Sequence, residues 1–479
     1  MFLHLRRFLK SLLSTRNVAF ITVAGFIVYI VGSAFPGPVL LGGNEFPPNS
    51  VGVTLALIFL IIYISMAISD HRKDAKRQRD RLMRIEDERR RQEVFQAERD
   101  AYLAFRALTE TNKEYLDWES AFLYSRYPGR SVKLCGRSYP AMTQVPVSRS
   151  TEWRSGQVLI NFSDLTMLEN MEIHSEQYDS KTNLFIRCAH NDGKGEIRYP
   201  DRVGYEAIEW SFDGSRPLLT VGLSRYRDTA AGGYRLQAEL IDRWENGAKT
   251  PLRDALSDFG NAPPITRPDQ KFHATLGVQA LVVIVGDEDA EVVMMRRSAT
   301  HATRAGWLQF PPSGAMEVFG STTDENFSNL RKESDPAASL RREFVEELFG
   351  VDELQSGIDG IYENLAVSKH GELLGTAFRE KRAVVRFLGI AWDMATLRPE
   401  LSFLIIARNV PWELKAGSET KELFRAPFAE VSRRIRSSDS RLNSTSAALL
   451  RLALDSGALY EDGILRREDA ERYFGEGAE

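Results

Sequence analysis

The chain has 479 residues, of which 43% are hydrophobic and 27% charged, a globular composition that excludes a collagen-like or wholly disordered polypeptide. Its 62 basic and 66 acidic residues leave a net charge of −4, which gives no reason to expect a binder of DNA or RNA duplexes. The two cysteines, Cys135 and Cys188, allow neither a disulfide framework nor a cysteine-based zinc site and suit a reducing compartment.

The first seventy residues hold nearly all the lipid-like sequence. Residues 17–41 and 51–68 carry no charge, and each is long enough for the roughly 20 apolar residues of a membrane-spanning helix. The stretch GGNEFPPNS between them, with Glu45 as its only charge, stops helices. The pattern predicts a transmembrane helical hairpin over 1–70. Residues 1–16 carry Arg6, Arg7, Lys10 and Arg16 without an acid, and residues 71–91 carry ten Lys/Arg against five acids. Positive flanks place both termini in the cytoplasm of a multi-pass membrane protein. Gly25, Gly32, Ser33 and Gly37 would permit close helix contact, and the uncharged spans offer no ion relay.

Residues 71–128 read as a charged cytoplasmic helix, free of Pro and Gly to about residue 124 and ended by Tyr127-Pro128-Gly129. A heptad seam from Leu82 fails at Arg89, Gln92, Gln96 and Arg99, whereas Phe95, Tyr102, Phe105, Leu108 and Tyr115 recur at helical spacing. Residues 129–262 read as a β-rich middle region of short runs, among them QVLINF, NLFIRCAH, EIRY, YEAIEWSF, PLLTVGL and GGYRLQAEL, separated by turn signals. His174 and His190 lack metal-like partners and read as loop histidines.

The last region, 263–479, follows a Pro-rich linker at 261–268. ATLGVQALVVIV, a turn at Gly286–Asp289 and EVVMMRR predict a β-hairpin. Asp335-Pro336 opens a helix in which Leu340, Phe344 and Leu348 form a buried stripe. Glu343, Glu346 and Glu347 fall at i, i+3 and i+4 on the opposite face, where three like charges call for a cation. A hard divalent ion such as Mg²⁺, shared with a phosphate-bearing ligand, would supply it, although charged residues on a helix face are commonly just solvated.

The hairpin, the loop WLQFPPSG and the helix RREFVEELFG together resemble the Nudix family. Gly314 matches the start of that family's signature, and Arg342, Glu343, Phe344, Glu346, Glu347 and Gly350 match its second half. The resemblance covers residues 265–430. It implies a Nudix-like α/β/α sandwich, metal ligands at Glu343, Glu346 and Glu347, ligand binding near Gly314 and Arg342, and Mg²⁺ as cofactor. Activity, if present, would use the same three glutamates. The sequence departs from the pattern: Gly314 and Arg342 lie 28 positions apart, twice the family spacing, the first signature glutamate falls on Gly320, and two residues separate Glu347 from Gly350. A polar insertion occupies 320–334. A fourth carboxylate has three candidates, Glu363, Glu372 and Glu400. With the loop rebuilt, binding a phosphate ligand is better supported than cleaving one.

The expected fold class is therefore α+β: a transmembrane hairpin, a cytoplasmic helix, a β-rich region and a Nudix-like domain. This order resembles the two-span effectors of bacterial cyclic-oligonucleotide antiphage systems (CBASS) that carry a SMODS-associated Nudix domain. The resemblance implies placement in the bacterial inner membrane, a cyclic oligonucleotide signal as ligand, membrane lipids as partners, homo-oligomerisation on activation, and disruption of that membrane causing abortive infection. Two alternatives stand beside it: a membrane-anchored, Mg²⁺-dependent Nudix hydrolase of nucleoside diphosphate derivatives, and a degenerate scaffold for protein contacts.

Overall fold

The computed structural model of the chain describes residues 25, 29, 39–41, 44–46, 48–126, 131–144, 151–152, 159–162, 182, 203–213, 216–256, 274–287, 289–298, 304–318, 334–351, 365, 367–417, 420–437 and 441–475. Most of the first expected span, the runs at 183–190 and 196–199, the linker 261–268, His174, His190, Cys188, Glu363 and nearly all of the 320–334 insertion lie outside the described residues. The chain divides into two compact units, Met1–Ala97 and Glu98–Glu479.

In the first unit, β1 (Val39–Leu41) and β2 (Asn44–Phe46) form an antiparallel hairpin, and helix α1 (Pro48–Thr111) begins directly after it. Among the described residues, no helix is long and apolar enough to cross a membrane. This overturns the transmembrane hairpin, and with it the multi-pass inner-membrane placement and the fold class built on it; the architecture is mixed α/β. One feature explains the difference in the first span. Val39–Leu41, its end, is extended rather than helical, following Pro36-Gly37-Pro38, which cannot continue a helix. The apolar run 51–68 continues, without a stop, into a segment dominated by Arg, Lys, Asp and Glu, the long helix that the lack of Pro and Gly predicts.

In the second unit the helix breaks at Asn112, whose Oδ1 accepts from Tyr115 N (3.0 Å) and caps α2 (Lys113–Arg126). Then come β3 (Ser131–Leu134), β4 (Arg137–Gln144), β5 (Thr151–Glu152), β6 (Leu159–Phe162), β7 (Val203–Asp213) and β8 (Arg216–Arg225). The run GGYRLQAEL, expected as strand, is instead part of helix α3 (Tyr226–Asn246). Leu236 and Leu240 bury one face of it, the Gly232-Gly233 pair is buried with Gly233 against Thr396, and Gly247 ends it in the left-handed region at φ 66°. After α4 (Pro251–Leu256) follow β9 (Gly277–Val285), β10 (Ala290–Arg297), β11 (Leu308–Gln309), β12 (Ser313–Ala315), α5 (Pro336–Leu348), α6 (Lys369–Arg379), β13 (Ala383–Asp393), β14 (Arg398–Arg408), β15 (Thr420–Pro427), α7 (Phe428–Arg436), α8 (Ser444–Asp455), α9 (Ala458–Glu461) and α10 (Arg467–Phe474).

Ten of these strands form one sheet in the order β11-β10-β9-β14-β13-β4-β3, with β12 added on β9, β15 on β10 and β5 on β13. The middle-region strands β3 and β4 thus extend the same sheet as the C-terminal strands. Its centre is the parallel pair β9–β14, in register from Gly277↔Glu400 to Val285↔Arg408. Both strands are nearly continuous apolar runs, as burial on two faces requires. Val278, Ala280, Val282, Leu401, Phe403 and Ile405 face a core shared with α5, while Leu281, Val283, Leu404 and Ile406 face a core shared with α8. Strands β6, β8 and β7 form a second sheet, with β6–β8 parallel and β7–β8 antiparallel.

A buried cation ties the helices to this framework. Arg253 is fully buried and donates to the carbonyls of Met394 (2.6 Å), Ala395 (2.6 Å) and Leu236 (3.2 Å), joining α4, α3 and the turn after β13. Replacing it, as in Arg253→Met, strands the buried carbonyls of Met394 and Ala395 and is expected to lower the unfolding free energy by about 2–4 kcal/mol, measured by urea denaturation.

Near it, Glu119 on α2 is buried and accepts from the Tyr115 hydroxyl (3.2 Å). Burial pushes its carboxyl up from an ordinary 4.5 to about 7; Asp393 adds to the rise, while Arg304, Arg253 and the Tyr115 bond oppose it. A raised carboxyl means that the folded chain holds the proton more tightly than the unfolded one. The corresponding stability is fully present below about pH 4.5 and is lost as pH rises towards 7. Glu119→Gln should flatten a fall of about 3 kcal/mol across that window, read from denaturation midpoints at successive pH values.

Candidate functional site

Strand β12 is short and lies on β9 in the register Ser313↔Gln279, Gly314↔Val278 and Ala315↔Gly277. Helix α5 starts where the sequence sets it: Asp335 accepts from Ala337 N (3.0 Å) and Pro336 takes the first position. Leu340, Phe344 and Leu348 are buried on the sheet, and the Phe344 ring meets Phe349 and Trp412 edge-on at 5.4 and 5.1 Å between centroids.

The carboxylates do not form the solvent-facing stripe that the helical spacing suggested. Glu343 and Glu346 are only 7% and 8% exposed, because Arg342, 2% exposed, is buried between them. Its guanidinium donates to Glu343 Oε1 (2.5 Å), Glu346 Oε2 (3.0 Å) and the carbonyl of Ala315 (2.8 Å), which clamps α5 onto β12. Glu347 Oε2 accepts from Ser313 N (2.7 Å). All five residues singled out by the sequence, Gly314, Arg342, Glu343, Glu346 and Glu347, therefore gather around β12.

Gly314 is required by this approach, since a Cβ there would fall inside the Glu343 carboxylate. Gly417, which the sequence did not single out, is as constrained: a Cβ would lie 2.8 Å from the carbonyl of Glu346. Gly350 sits in the left-handed region at φ 64° just past Phe349, where the chain leaves α5 and Lys415 N binds the carbonyl of Leu348 (2.8 Å). Glu317 also belongs to the electrostatic neighbourhood, two residues beyond β12 and bridged to Gly204 of β7. The middle region reaches the site there: Tyr205 N donates to Met316 O (3.0 Å) and Val318 N to Val203 O (2.9 Å). Only long-range pairing reveals Glu317, so no local signal marks it.

The open question of a fourth carboxylate closes for two of three candidates. Glu372 is exposed in the first turn of α6. Glu400 is buried, but alternation along β14 puts it on the face of Ser402 and Gln279, towards Thr445 of α8 and away from α5.

Burial drives the Glu343 carboxyl well above the usual carboxylate range; Arg342 opposes the rise, and Glu346, Glu347 and Glu317 add to it. Four acids around one guanidinium are a donor set chemically suited to a divalent cation. Among the described residues, however, no group of three or more His, Cys, Asp or Glu side chains is arranged to hold a metal ion. An ion would be bound by carboxylates that first leave Arg342 and Ser313.

No protein-family model and no curated protein matches the chain. Among solved structures it is similar to a Nudix hydrolase of Alicyclobacillus acidocaldarius, with 18% identity over 37% of this chain and 90% of that one, TM-score 0.23. It is similar also to the Nudix domain of Shewanella oneidensis NrtR, crystallised with ADP-ribose, at 13% identity over 38% and 87%, TM-score 0.23. A third is a C. elegans Ap4A hydrolase binary complex, at 10% identity over 40% and 99%, TM-score 0.22. These likenesses are partial and weak.

Gly314→Ala should displace the Glu343 carboxylate from Arg342 and cost about 1–3 kcal/mol, read as a lowered urea midpoint.

Proposed function

We propose that β12 and α5 form a Nudix-like site that binds a nucleotide through its phosphates, with Mg²⁺ held by Glu343, Glu346 and Glu347, and that the site binds its ligand without cleaving it. The ion would neutralise the crowded carboxylates and order the phosphates against the helix. One observation carries the preference for binding. The loop from Gly314 to Arg342 is twice the family length and Gly320 stands where the first signature glutamate would fall, so the carboxylate set for activating a water is less complete than the set for holding an ion.

The finer reading concerns the ligand. The sequence resemblance to SMODS-associated Nudix domains supports a cyclic oligonucleotide signal, and an effector role in bacterial antiphage defence in which ligand-bound chains self-assemble. Membrane disruption is not carried forward, because no described helix is long and apolar enough to span a bilayer.

Calorimetry on the full chain, with and without Mg²⁺, against cyclic di- and trinucleotides and ADP-ribose tests both levels, with product formation followed in the same mixtures. The expected result is Mg²⁺-dependent binding of a cyclic nucleotide, weakened about tenfold or more by Glu346→Gln, with no breakdown. Mg²⁺-dependent turnover abolished by Glu347→Gln would make the domain a hydrolase. Absence of any Mg²⁺-dependent affinity would leave only the scaffold reading.

A further inference from the structure

A half-open cavity of about 700 Å³ in the 98–479 unit shares no residue with the carboxylate site. It lies where two strands part. Strand β13 pairs with β4 only as far as Asp393↔Ala141, Met394 N still reaches Pro140 O (2.8 Å), and beyond that Arg137–Tyr139 is paired with β3 alone among the described residues. Lys113 and Glu119 of α2 and Trp307 line the cavity, and Arg441 and Ser444 close it.

Three features of the walls address an anion. Lys113, Arg137 and Arg441 are among its lining residues; the Arg137 guanidinium also donates to the carbonyls of Arg436 (2.8 Å) and Ser437 (3.3 Å), and that of Arg441 to the carbonyl of Lys113 (3.3 Å). Helix α8, twelve residues long, begins at Ser444 in the wall behind its cap Asn443, so the positive end of a helix opens there. The phenol of Tyr139 is 7% exposed, and its hydroxyl has no hydrogen-bond partner among the described residues. Such an orphaned group is costly, and because the hydroxyl is sealed from solvent a ligand reaches it only when the cavity wall shifts. Burial raises its proton affinity, so it remains an O–H donor at any physiological pH.

The acids of the lining are unequal. Asp117 is paired with Arg441 (3.1 Å), and Glu110 with Arg106 (2.8 Å) and the backbone N of Arg304 (2.7 Å). Among the described residues Glu119 accepts only from the Tyr115 hydroxyl, on Oε1, which leaves it as the acceptor for a ligand's N–H groups. The volume falls in the range of about 300–1,000 Å³ usual for small-molecule sites.

We propose that this cavity is a second ligand site, which takes a phosphate ester the size of a nucleoside monophosphate. Its phosphate lies among Arg137, Arg441, the Tyr139 hydroxyl and the first turn of α8, and its amino-bearing ring faces Glu119. The site is independent of the carboxylate helix and needs no divalent cation.

The test is calorimetry of the full chain with adenosine 5′-monophosphate in EDTA, which silences any metal-dependent site, with Trp307 fluorescence as a second readout. Binding should be seen, inorganic phosphate should compete, and adenosine should bind about tenfold or more weakly than the monophosphate. Tyr139→Phe and Arg441→Gln should each weaken the monophosphate about tenfold, while thermal unfolding of Tyr139→Phe shows the fold retained. Glu347→Gln should leave the affinity unchanged. Absence of heat with both the monophosphate and inorganic phosphate would overturn the proposal. So would binding that survives both cavity variants, or that is lost only in Glu347→Gln.

Discussion

Two carboxylates cannot be buried side by side under a strand unless a cation is buried with them, and in this chain that cation is Arg342. The guanidinium is planar and forked, so it meets Glu343, Glu346 and the carbonyl of Ala315 together; a lysine could not. Everything around it follows from keeping this group dry and paired. The strand must come close, which demands Gly314. The helix must end promptly, which demands Gly350, and the segment between β14 and β15 must pass tightly against the carbonyl of Glu346, which demands Gly417. Glu347, one residue outside the buried pair, is left to hold the strand through Ser313 N. Electrostatics here determines packing, rather than decorating it.

Much of this was legible from local signals, and what was not has identifiable causes. Asp335-Pro336, the Leu340–Phe344–Leu348 stripe and the turn at 286–289 act over a few residues, so propensity and periodicity suffice. The burial of Glu343 and Glu346 was hidden because helical spacing reports which residues share a face, not whether another element covers that face. The same blindness affected GGYRLQAEL. Its double glycine reads as a strand or turn until Thr396 is seen packed against Gly233. Glu317 and the β7 contact depend on pairing across more than a hundred residues, for which a single sequence carries no short-range trace.

The alternation of the central strands also separates two chemistries. Residues on one face of β9 and β14 build the apolar seat of α5, and those on the other begin with polar groups, Gln279, Ser402 and Glu400, at the N-terminus of α8 before turning apolar. A sheet buried on both sides thus places the carboxylate cluster and these polar groups on opposite faces of one layered unit.

The parallel pairing of β9 with β14 also bears on how the chain is made. Gln279 and Ser402, bonded across that ladder, lie 123 residues apart. At about 5–20 residues per second, a ribosome needs roughly 6–25 s to extend the chain between them. For that interval β9, nearly all of whose side chains end up buried, has only its hairpin and the short β12 as available neighbours. A run such as GVQALVVIV left waiting is a sticky edge, and the nascent chain is exposed to chaperone capture or misassociation at that stage.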